Sequence, residues 1–402
     1  MRVLCTTHGS PSHGRAQLPL LRALAKAGHE VQVVTNDDLA PVFAADDVQV
    51  TPALPEFDPT ARLGPYVAEI QKIEDMAGRM AELSRLMQRT LAGPSIKPTL
   101  DILLPLARDF RPDVVLRDGM DMAAVLTAET LGVPQLPTPS GFSNMMDPAQ
   151  VLPELNNRRA ELGLTVHEDP LSIVPHGRVD YVPSAFSFAQ HLPKSWAYRQ
   201  TVDVERRAVL PEWVAELPTD RPLVYAAIGT ALPMLHHRKA DQPAPLPMEF
   251  PDPTESLGAI LGAVAELDDC TVVVSTSGIP VDTEGVPAHV RVVERVPQPL
   301  LLESVDLFVT HGGFNSIREA MRTGTPLAVL PHFGDQHGNA DRVEALGLGR
   351  HVTDRSAAGI AAACRELLAD PAPRARARAA RLAMLTLPEI EHAVGDLEGI
   401  AG

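Results

Sequence analysis

The chain has 402 residues, which is long for one hydrophobic core and sufficient for two domains. Its formal net charge of −16 argues against a nucleic acid or an anionic membrane surface as a partner, because both would repel it. No apolar run reaches the roughly eighteen residues that would predict a membrane span, and the first residues predict a buried strand rather than a signal peptide. The cysteines, Cys5, Cys270 and Cys364, lie far apart and predict reduced thiols in a cytoplasmic protein without a zinc site.

Apolar periodicity divides the first half of the chain into alternating strands and helices. Residues Met1–Cys5 predict a strand, Gln17–Ala27 a helix and Val31–Thr35 a second strand, and together they form a βαβ unit. A predicted loop, Thr6–Arg15, joins the first strand to the helix. The alternation continues through a strand at Asp113–Leu116.

The second half of the chain repeats this pattern. A buried strand is predicted at Leu223–Ile228 and ends at Gly229 and Thr230. A further strand, Val305–Thr310, precedes the sequence HGGFNSIREA and a helix that ends at Gly324. A helix N-terminus after a parallel strand offers unpaired backbone N–H groups to an anion, so this segment predicts a phosphate cradle.

These two blocks predict an α/β protein with two Rossmann-like domains. The first domain is expected over residues 1–205 and the second over residues 222–385. The polar, proline-bearing stretch Leu210–Pro222 predicts a linker between them. A helical tail is expected over residues 386–402.

His13 lies in the predicted loop after the first strand and has two interpretations. It is either a solvent-exposed loop histidine or a general base, because loops at the carboxyl ends of parallel strands form the ligand crevice and a helix N-terminus favours neutral imidazole. Such a base needs a carboxylate to orient it. Asp118, at the end of another predicted strand, is the first candidate, with helix capping as its structural alternative. Asp121 is the second candidate.

Polar residues near the predicted phosphate cradle also have competing roles. Ser316 and Glu319 fit the S-x-x-E pattern of a capping box, so the Glu319 carboxylate could either cap the helix or bind a ribose hydroxyl. Asp335 and Gln336 follow a predicted strand and would face the crevice, with helix capping as the alternative. No cluster has metal-ligand spacing, so no metal site is predicted.

Methionines are concentrated in the first half of the chain. Most methionines belong to the hydrophobic core, but a concentration of them also fits a deformable apolar pocket for a bulky ligand. The second interpretation predicts an apolar ligand pocket that contains Met76, Met80, Met120, Phe142 and Met145.

Several segments together resemble the nucleotide-sugar signature of family 1 glycosyltransferases, most of all the bacterial enzymes that glycosylate antibiotics and other natural products. In order, these segments are VPQ (296–298), HGGFNSIRE (311–319), GTPLAVLP (324–331) and DQ (335–336). The first half is similar to the same family at His13, at the Pro-Leu-Leu of Pro19–Leu21 and at RPDVVLRD (111–118). The resemblance covers nearly the whole chain.

This resemblance implies a GT-B fold, in which two Rossmann-like domains face each other across a cleft and the last helix crosses back to the first domain. It also implies inverting transfer without a metal ion or a cofactor, with the nucleotide sugar as co-substrate. His13 would be the general base, and Asp118 would orient and stabilise its imidazolium. The residues that the resemblance assigns to the donor are Gly229, Thr230, Arg295, Val296, Gln298, His311, Gly312, Gly313, Asn315, Ser316, Glu319, Asp335 and Gln336.

Arg295 is a departure from the family pattern, because many relatives have Trp there to stack on the nucleobase. A guanidinium can also stack on a ring. The resemblance therefore predicts a cytoplasmic enzyme that moves a sugar, by analogy a deoxysugar from a dTDP donor, to a hydroxyl of a bulky apolar natural product in antibiotic biosynthesis. Two alternatives are a GT-B nucleotide-sugar epimerase, which would need no acceptor pocket, and a non-catalytic partner that activates a second transferase. A homodimer is left open.

Overall fold

The computed structural model describes residues 1–56, 63, 66–139, 142–192, 194–200, 208–230, 232–233 and 252–402. These residues form two compact units. The first contains Met1–Arg199 and Pro388–Gly402, and the described residues from Gln200 to Leu387 form the second. The predicted domain end at residue 205 lies outside the described residues. Among the helices of the described ranges, none is both long and apolar enough to cross a membrane.

The first unit is built on a five-stranded parallel sheet with the order β3-β2-β1-β4-β5. The strands β2 and β3 therefore lie on one side of β1, and β4 and β5 lie on the other side. The switch point is between β1 and β4. In an open parallel sheet, ligands bind at such a switch point, outside the carboxyl ends of the strands. The strands are β1 (Arg2–Thr6), β2 (Glu30–Thr35), β3 (Gln49–Pro52), β4 (Val114–Arg117) and β5 (Gln135–Pro137).

Helices join these strands, and a short parallel pair follows them. The helices are α1 (Pro11–Lys26), α2 (Val67–Ile70), α3 (Met76–Thr90), α4 (Lys97–Phe110), α5 (Met122–Leu131), α6 (Phe142–Met145) and α7 (Pro148–Glu161). The parallel pair is β6 (Arg178–Asp180) with β7 (Ser195–Ala197). Short 3₁₀ helices cover Ala40–Phe43, Pro94–Ile96, Pro170–Ile173 and Ser184–Phe186.

The start of α1 corrects the sequence prediction. The helix begins at Pro11 rather than near Gln17, so the second half of the predicted loop is helical. Ser10 has the extended backbone of an N-cap residue, and proline suits the first helical turn because its missing N–H would be unpaired there anyway. His13 therefore lies on the first turn of a helix and not in a loop.

The second unit contains a six-stranded parallel sheet with the order β10-β9-β8-β11-β12-β13. Its switch point lies between β8 and β11, where Ala227 is opposite Thr310. The loops that follow these two strands carry Gly229 and His311. The strands are β8 (Leu223–Ala227), β9 (Thr271–Ser275), β10 (Val290–Val293), β11 (Leu307–Thr310), β12 (Leu327–Val329) and β13 (Gly349–His351).

The helices of the second unit cover the faces of this sheet. Buried Val, Leu, Ile and Ala side chains from β8, β9, β11, α8 and α12 form one hydrophobic core. The helices are α8 (Pro253–Ala265), α9 (Gln298–Leu301), α10 (Phe314–Thr323), α11 (Gln336–Ala345), α12 (Ala357–Ala369) and α13 (Pro371–Leu385), with 3₁₀ turns at Glu212–Glu216 and Leu302–Ser304. As predicted, α10 ends at Gly324, which has a left-handed backbone.

The last helix, α14 (His392–Ala401), belongs to the first unit. Tyr198 donates a hydrogen bond of 2.7 Å to Asp396 on this helix. His29, after α1, lies 3.2 Å from Glu398. The predicted α/β fold class, with Rossmann-like parallel sheets in two domains, is confirmed.

Candidate active site

The turn after β4 places Asp118 against His13 at the switch point of the first sheet. Asp118 Oδ2 lies 2.7 Å from His13 Nδ1, and the carboxylate is fully buried while one fifth of the histidine side chain is exposed. Because the two residues follow neighbouring parallel strands, their contact results from the sheet order. The structure thus joins the two residues that the sequence proposed as base and orienting carboxylate.

The charge state of Asp118 fixes the tautomer of His13. Burial raises the pKa of Asp118, but the charge and hydrogen bond of His13 and the backbone N–H of Met120 outweigh burial, so the pKa lies below its ordinary value. An ionised carboxylate can only accept hydrogen bonds. His13 Nδ1 therefore carries the hydrogen, and the lone pair of the neutral ring is on Nε2, on the opposite side from Asp118.

A buried guanidinium holds the turn that carries Asp118. Arg117 donates hydrogen bonds of 3.3 and 3.1 Å to the carbonyl groups of Asp118 and Gly119, and others to Gln135 and Ile173. Burial lowers the pKa of Arg117 to about 10, which leaves it charged at neutral pH. Arg117 was not among the predicted site residues, although it lies inside the RPDVVLRD segment.

Gln17 is a second residue that the sequence analysis missed. It is fully buried on α1, accepts hydrogen bonds from Cys5 and Thr7, and donates to the Thr6 carbonyl and the Thr138 hydroxyl. This network ties the ends of β1 and β5 to the helix that carries His13. The sequence signal that could have identified Gln17 is a polar residue on the apolar face of a predicted helix.

Asp121, the second candidate partner of His13, has a different partner in the structure. Its Oδ2 lies 3.1 Å from His8 Nε2, and its Oδ1 accepts the N–H of Ala124 and so caps α5. The capping role considered for Asp118 therefore belongs to Asp121. His8 was not among the predicted site residues, although it lies between β1 and α1, two residues before the N-cap of the helix that carries His13.

The predicted acceptor-pocket residues can be placed only in part. Met120 is buried and lines a recess beside His8, while Met145 is half-buried on α6. The side chains of Met76, Met80 and Phe142 lie outside the described part of the structure.

The loops after β8 and β11 bring Gly229, His311 and Gly313 together. A Cβ atom on either glycine would overlap the His311 ring, and Gly229 also has a left-handed backbone with a φ of 71°. The imidazole is therefore enclosed between two glycine Cα atoms, next to the N-terminus of α10. This arrangement places the His311 ring and the N-terminus of α10 at the predicted phosphate cradle.

His311 is neutral at physiological pH. Burial lowers its pKa to about 4, because the low-dielectric interior disfavours the charged ring. A hydrogen bond to the backbone of Ala227 partly offsets the effect of burial. A neutral imidazole has a single N–H, so this ring can donate either to that backbone group or to an anion.

Gln298, the first residue of α9, contacts two residues of α10. Its side-chain amide donates hydrogen bonds of 2.7 Å to Glu319 and 3.1 Å to Ser316. The predicted capping box is wrong, because α10 begins at Phe314 with Gly313 as its N-cap and Ser316 is already inside the first turn. The Gly-Gly pair lets the helix start earlier than the serine, which leaves the Glu319 carboxylate for another role.

The other predicted donor residues surround this cluster in the second unit. Thr230 and Arg295 are exposed, Val296 and Asn315 are half-buried, and Gly312 is buried at the end of β11. Arg318 donates a hydrogen bond to the side-chain oxygen of Asn315. The exposed guanidinium of Arg295 lies beside Glu294, with 3.8 Å between the nearest nitrogen and oxygen.

Asp335 and Gln336 form the start of α11. Asp335 is the N-cap residue by position, but its side chain makes no capping hydrogen bond and instead accepts one of 2.9 Å from Asn339. Gln336 is buried, and its side-chain oxygen accepts from the N–H groups of His332 and Phe333. Since the oxygen of Gln336 accepts from the backbone, its amide nitrogen is the group that can donate to a ligand. Among the described residues, no group of three or more His, Cys, Asp or Glu side chains could hold a metal ion.

Two domain families described as erythromycin biosynthesis protein CIII-like match this chain, the N-terminal domain over residues 22–229 and the C-terminal domain over residues 258–400. The chain belongs to this family. The CIII-like chain is 29% identical over 391 residues to the L-demethylnoviosyl transferase of Streptomyces niveus, covering 94% of this chain and 92% of that protein. It is 26% identical over 430 residues to the TDP-daunosamine transferase DnrS of Streptomyces peucetius, covering 99% and 96%.

Solved structures show the same fold as this CIII-like chain. The glycosyltransferase VinC, in complex with dTDP, superposes with a TM-score of 0.73 at 22% identity, over 100% of this chain and 99% of that chain. The family and its named relatives make this protein a glycosyltransferase of the antibiotic-biosynthesis type. The predicted resemblance to bacterial natural-product glycosyltransferases is confirmed.

Proposed function

We propose that this glycosyltransferase transfers a sugar, most simply a deoxysugar, from a dTDP donor to a hydroxyl group of a bulky apolar natural product, with inversion and without a metal ion or a cofactor. The observation that carries the proposal is the hydrogen bond between His13 and the buried Asp118. This pair has the arrangement of a general base and its orienting carboxylate. Cytoplasmic location stays a prediction, and a homodimer stays open.

The His13–Asp118 pair supports activation of the acceptor. His13 Nε2 takes the proton of the acceptor hydroxyl while the hydroxyl oxygen attacks the anomeric carbon. Asp118 stabilises the imidazolium that forms, since its carboxylate already accepts from Nδ1. The bond between the anomeric carbon and the diphosphate breaks on the opposite face of the sugar, so a single displacement inverts the anomeric configuration.

The donor loops support departure of the diphosphate. As the bond breaks, negative charge grows on the diphosphate oxygens. The N-terminus of α10 and the neutral ring of His311 supply fixed N–H dipoles for that charge, and preorganised donors of this kind stabilise a developing anion without reorganisation. We assign the phosphates to His311, Gly313, Asn315 and Ser316, the ribose to Glu319, and the sugar hydroxyls to Asp335 and Gln336.

Support for dTDP comes from similar proteins. The name of DnrS includes TDP-daunosamine, and VinC was solved with dTDP. Arg295 is exposed in the segment before α9 and can stack on thymine through its planar guanidinium. The names of these two relatives also support a sugar as the group that is transferred.

The test is a matrix of donors and acceptors with mass-spectrometric detection. The purified enzyme is incubated with dTDP-glucose, dTDP-rhamnose and UDP-glucose, each with a set of hydroxylated polycyclic acceptors. We expect a product of donor-sugar mass added to an acceptor, with inverted anomeric configuration by proton NMR, and no product from His13→Ala. Binding of dTDP is measured by calorimetry in the same preparation. Retention of configuration, or full activity of His13→Ala, contradicts the mechanism, and absence of dTDP binding favours the auxiliary-protein alternative.

A further inference from the structure

The first unit contains a second buried histidine–carboxylate pair beside His13 and Asp118. His8 Nε2 lies 3.1 Å from Asp121 Oδ2, and the two side chains are 9% and 2% exposed. The N–H of Asp121 donates a hydrogen bond of 3.0 Å to the carbonyl of Asp118, so both carboxylates belong to one turn. The charge of His8 also contributes to the low pKa of Asp118. The two pairs are therefore close enough for the charge of one pair to act on the other.

The cluster formed by His8, His13, Arg117, Asp118 and Asp121 has an excess of negative charge when both imidazole rings are neutral. Burial raises the pKa of Asp121, but the charge and hydrogen bond of His8 outweigh burial and lower this pKa to about 2. Asp118 and Asp121 are thus both ionised at neutral pH, and Arg117 is charged. Two carboxylates and one guanidinium leave one negative charge without compensation. An uncompensated buried charge is costly, so the cluster favours binding of one proton.

Neighbouring titratable groups do not compensate this charge. The thiol of Cys5, on β1, is buried, and burial together with the two carboxylates raises its pKa, so it stays neutral. Glu129, on α5, also acts on Arg117 but is paired with Arg159, with 2.6 Å between oxygen and nitrogen. Within the described residues, the histidines are therefore the groups of this cluster that can bind the compensating proton.

The position of the two histidines relative to α1 favours His8 as the site of this proton. His13 lies in the first turn of α1, where the partial positive charge of the helix N-terminus disfavours a cation. His8 precedes this helix and has its Nε2 against the carboxylate of Asp121. Once His8 is protonated, a second proton on His13 would place two imidazolium charges in one buried cluster, which like-charge repulsion opposes. One proton on His8 thus compensates the cluster and leaves the other ring neutral.

We propose that His8, paired with Asp121, carries the resting proton of this cluster and thereby keeps His13 neutral and able to act as a general base. This inference rests on the proposed function, because it assigns the base to His13. His8 acts through the charge that it presents to His13, so it is a positioning residue and not a catalytic one. Without His8, the charge of Asp121 would favour the protonated form of the base.

The experiment measures histidine protonation directly in the full-length protein by NMR with ¹⁵N-labelled histidine. The variants His8→Gln and His13→Gln assign the two rings. We expect His8 to have two protonated ring nitrogens at neutral pH, and His13 to have one, at Nδ1. In His8→Gln the titration midpoint of His13 should rise by about one pH unit or more, the effect of a nearby opposite charge on a titrating group.

The double variant His8→Gln with Asp121→Asn is the decisive comparison. It removes one charge of each sign, and the asparagine oxygen can still accept the N–H of Ala124 that caps α5. The titration midpoint of His13 should therefore return to near its wild-type value. Structural damage would instead leave the double variant at least as perturbed as His8→Gln. Asp121→Asn alone should not raise the midpoint, which keeps the inference testable if His8→Gln does not fold.

Sugar transfer gives a second readout of the same charge. The acidic limb of kcat/KM against pH should move to higher pH in His8→Gln by the same amount as the NMR midpoint, and the rate should recover above that limb. A merely structural role of His8 would lower the rate at every pH. His191→Gln, at an exposed histidine elsewhere in the first unit, is the matched control and should keep the wild-type profile.

The outcomes separate this inference from the proposed function. A wild-type protein in which His13 rather than His8 is protonated at neutral pH overturns the inference. An unchanged His13 midpoint in His8→Gln overturns it as well, and so does a double variant that keeps the raised midpoint. If no sugar is transferred, or if His13→Ala keeps full activity, the proposed function fails, whereas NMR still shows which of the two rings holds the proton.

Discussion

Asp118 Oδ2 and His13 Nδ1 are 2.7 Å apart, although 105 positions separate the two residues in the chain. The contact exists because β1 and β4 are neighbours in the parallel sheet, with Val3 opposite Val114 and Cys5 opposite Leu116. The sheet order therefore determines which carboxylate reaches His13.

The first prediction tests this pair as one unit. His13→Ala should lower kcat by at least ~10²-fold, the usual contribution of a general base. Asp118→Asn should lower kcat strongly as well, since an amide no longer fixes the tautomer or stabilises the imidazolium. The double variant should be little worse than the poorer single variant, because residues that act as a unit are not additive. Initial rates by mass spectrometry measure this, and additive losses would show that the two residues act separately.

The second prediction concerns the space around His311. Gly313→Ala should raise the Kd for dTDP by at least tenfold, because the new methyl group would displace the imidazole. Gly229→Ala should be worse, since its left-handed backbone adds about 1 kcal/mol or more of strain. Gly258→Ala on α8 is the matched control, because a Cβ there meets no neighbour within 4 Å. Equal dTDP binding by the Gly258 and Gly313 variants would contradict this role of the loop.

The third prediction is a pH dependence of stability that arises from His311. Its pKa is about 4 in the folded protein, below the ordinary 6.5, so the unfolded chain binds one more proton between these values. Its contribution is complete above about pH 6.5 and is lost as the pH falls towards 4, by about 3 kcal/mol in total. Burial lowers the pKa of His332 to about 3 and adds a dependence of the same sign.

Urea unfolding between pH 6.5 and 4.5 measures this dependence. His311→Gln should reduce the slope of unfolding free energy against pH by up to about 1.4 kcal/mol per pH unit, which corresponds to one proton. His167→Gln, in an exposed loop, should keep the wild-type slope. If His311→Gln also keeps that slope, the ring is already protonated in the folded protein at these pH values.

The fourth prediction concerns the carboxylate that Gln298 contacts. Glu319→Gln keeps the size of the side chain but removes its charge, and we expect the Kd of dTDP to rise about tenfold or more, as for loss of a charge-assisted hydrogen bond. Calorimetry with dTDP and with UDP measures this, and both should be affected because both contain the ribose 3′-hydroxyl. Glu284→Gln, an exposed glutamate in the loop after β9, is the control. An unchanged Kd of dTDP would show that the Glu319 carboxylate has a structural role and does not bind the nucleotide.

The fifth prediction concerns metal ions. Dialysis against EDTA should leave the transfer rate within about twofold, since N–H groups rather than a metal ion would stabilise the diphosphate. Restoration of a lost rate by Mg²⁺ or Mn²⁺ would show that the proposed metal-independent mechanism is wrong.

Sequence periodicity predicted the strands β1, β2, β4, β8 and β11, because buried strands have runs of β-branched and other apolar residues. It also predicted the end of α10, since the chain must turn at Gly324 with a left-handed backbone that glycine adopts without strain. The first residues of helices were predicted less accurately than their ends. The Ser10-Pro11 start of α1 and the Gly313 cap of α10 were both misread, because several nearby residues could satisfy the same unpaired N–H groups.

The sequence by itself determined the local elements of this protein: the strand ends, the glycine turns and the order of the segments that resemble the nucleotide-sugar signature. These features depend on interactions between residues that are close in the chain, so local composition and spacing are sufficient to predict them. Only the tertiary structure decided that His8 pairs with Asp121, that Gln298 reaches Glu319, and that Arg117 and Gln17 support the His13–Asp118 pair. Those contacts join segments that are distant along the chain, and sheet order and side-chain packing select one partner among several of equal chemistry.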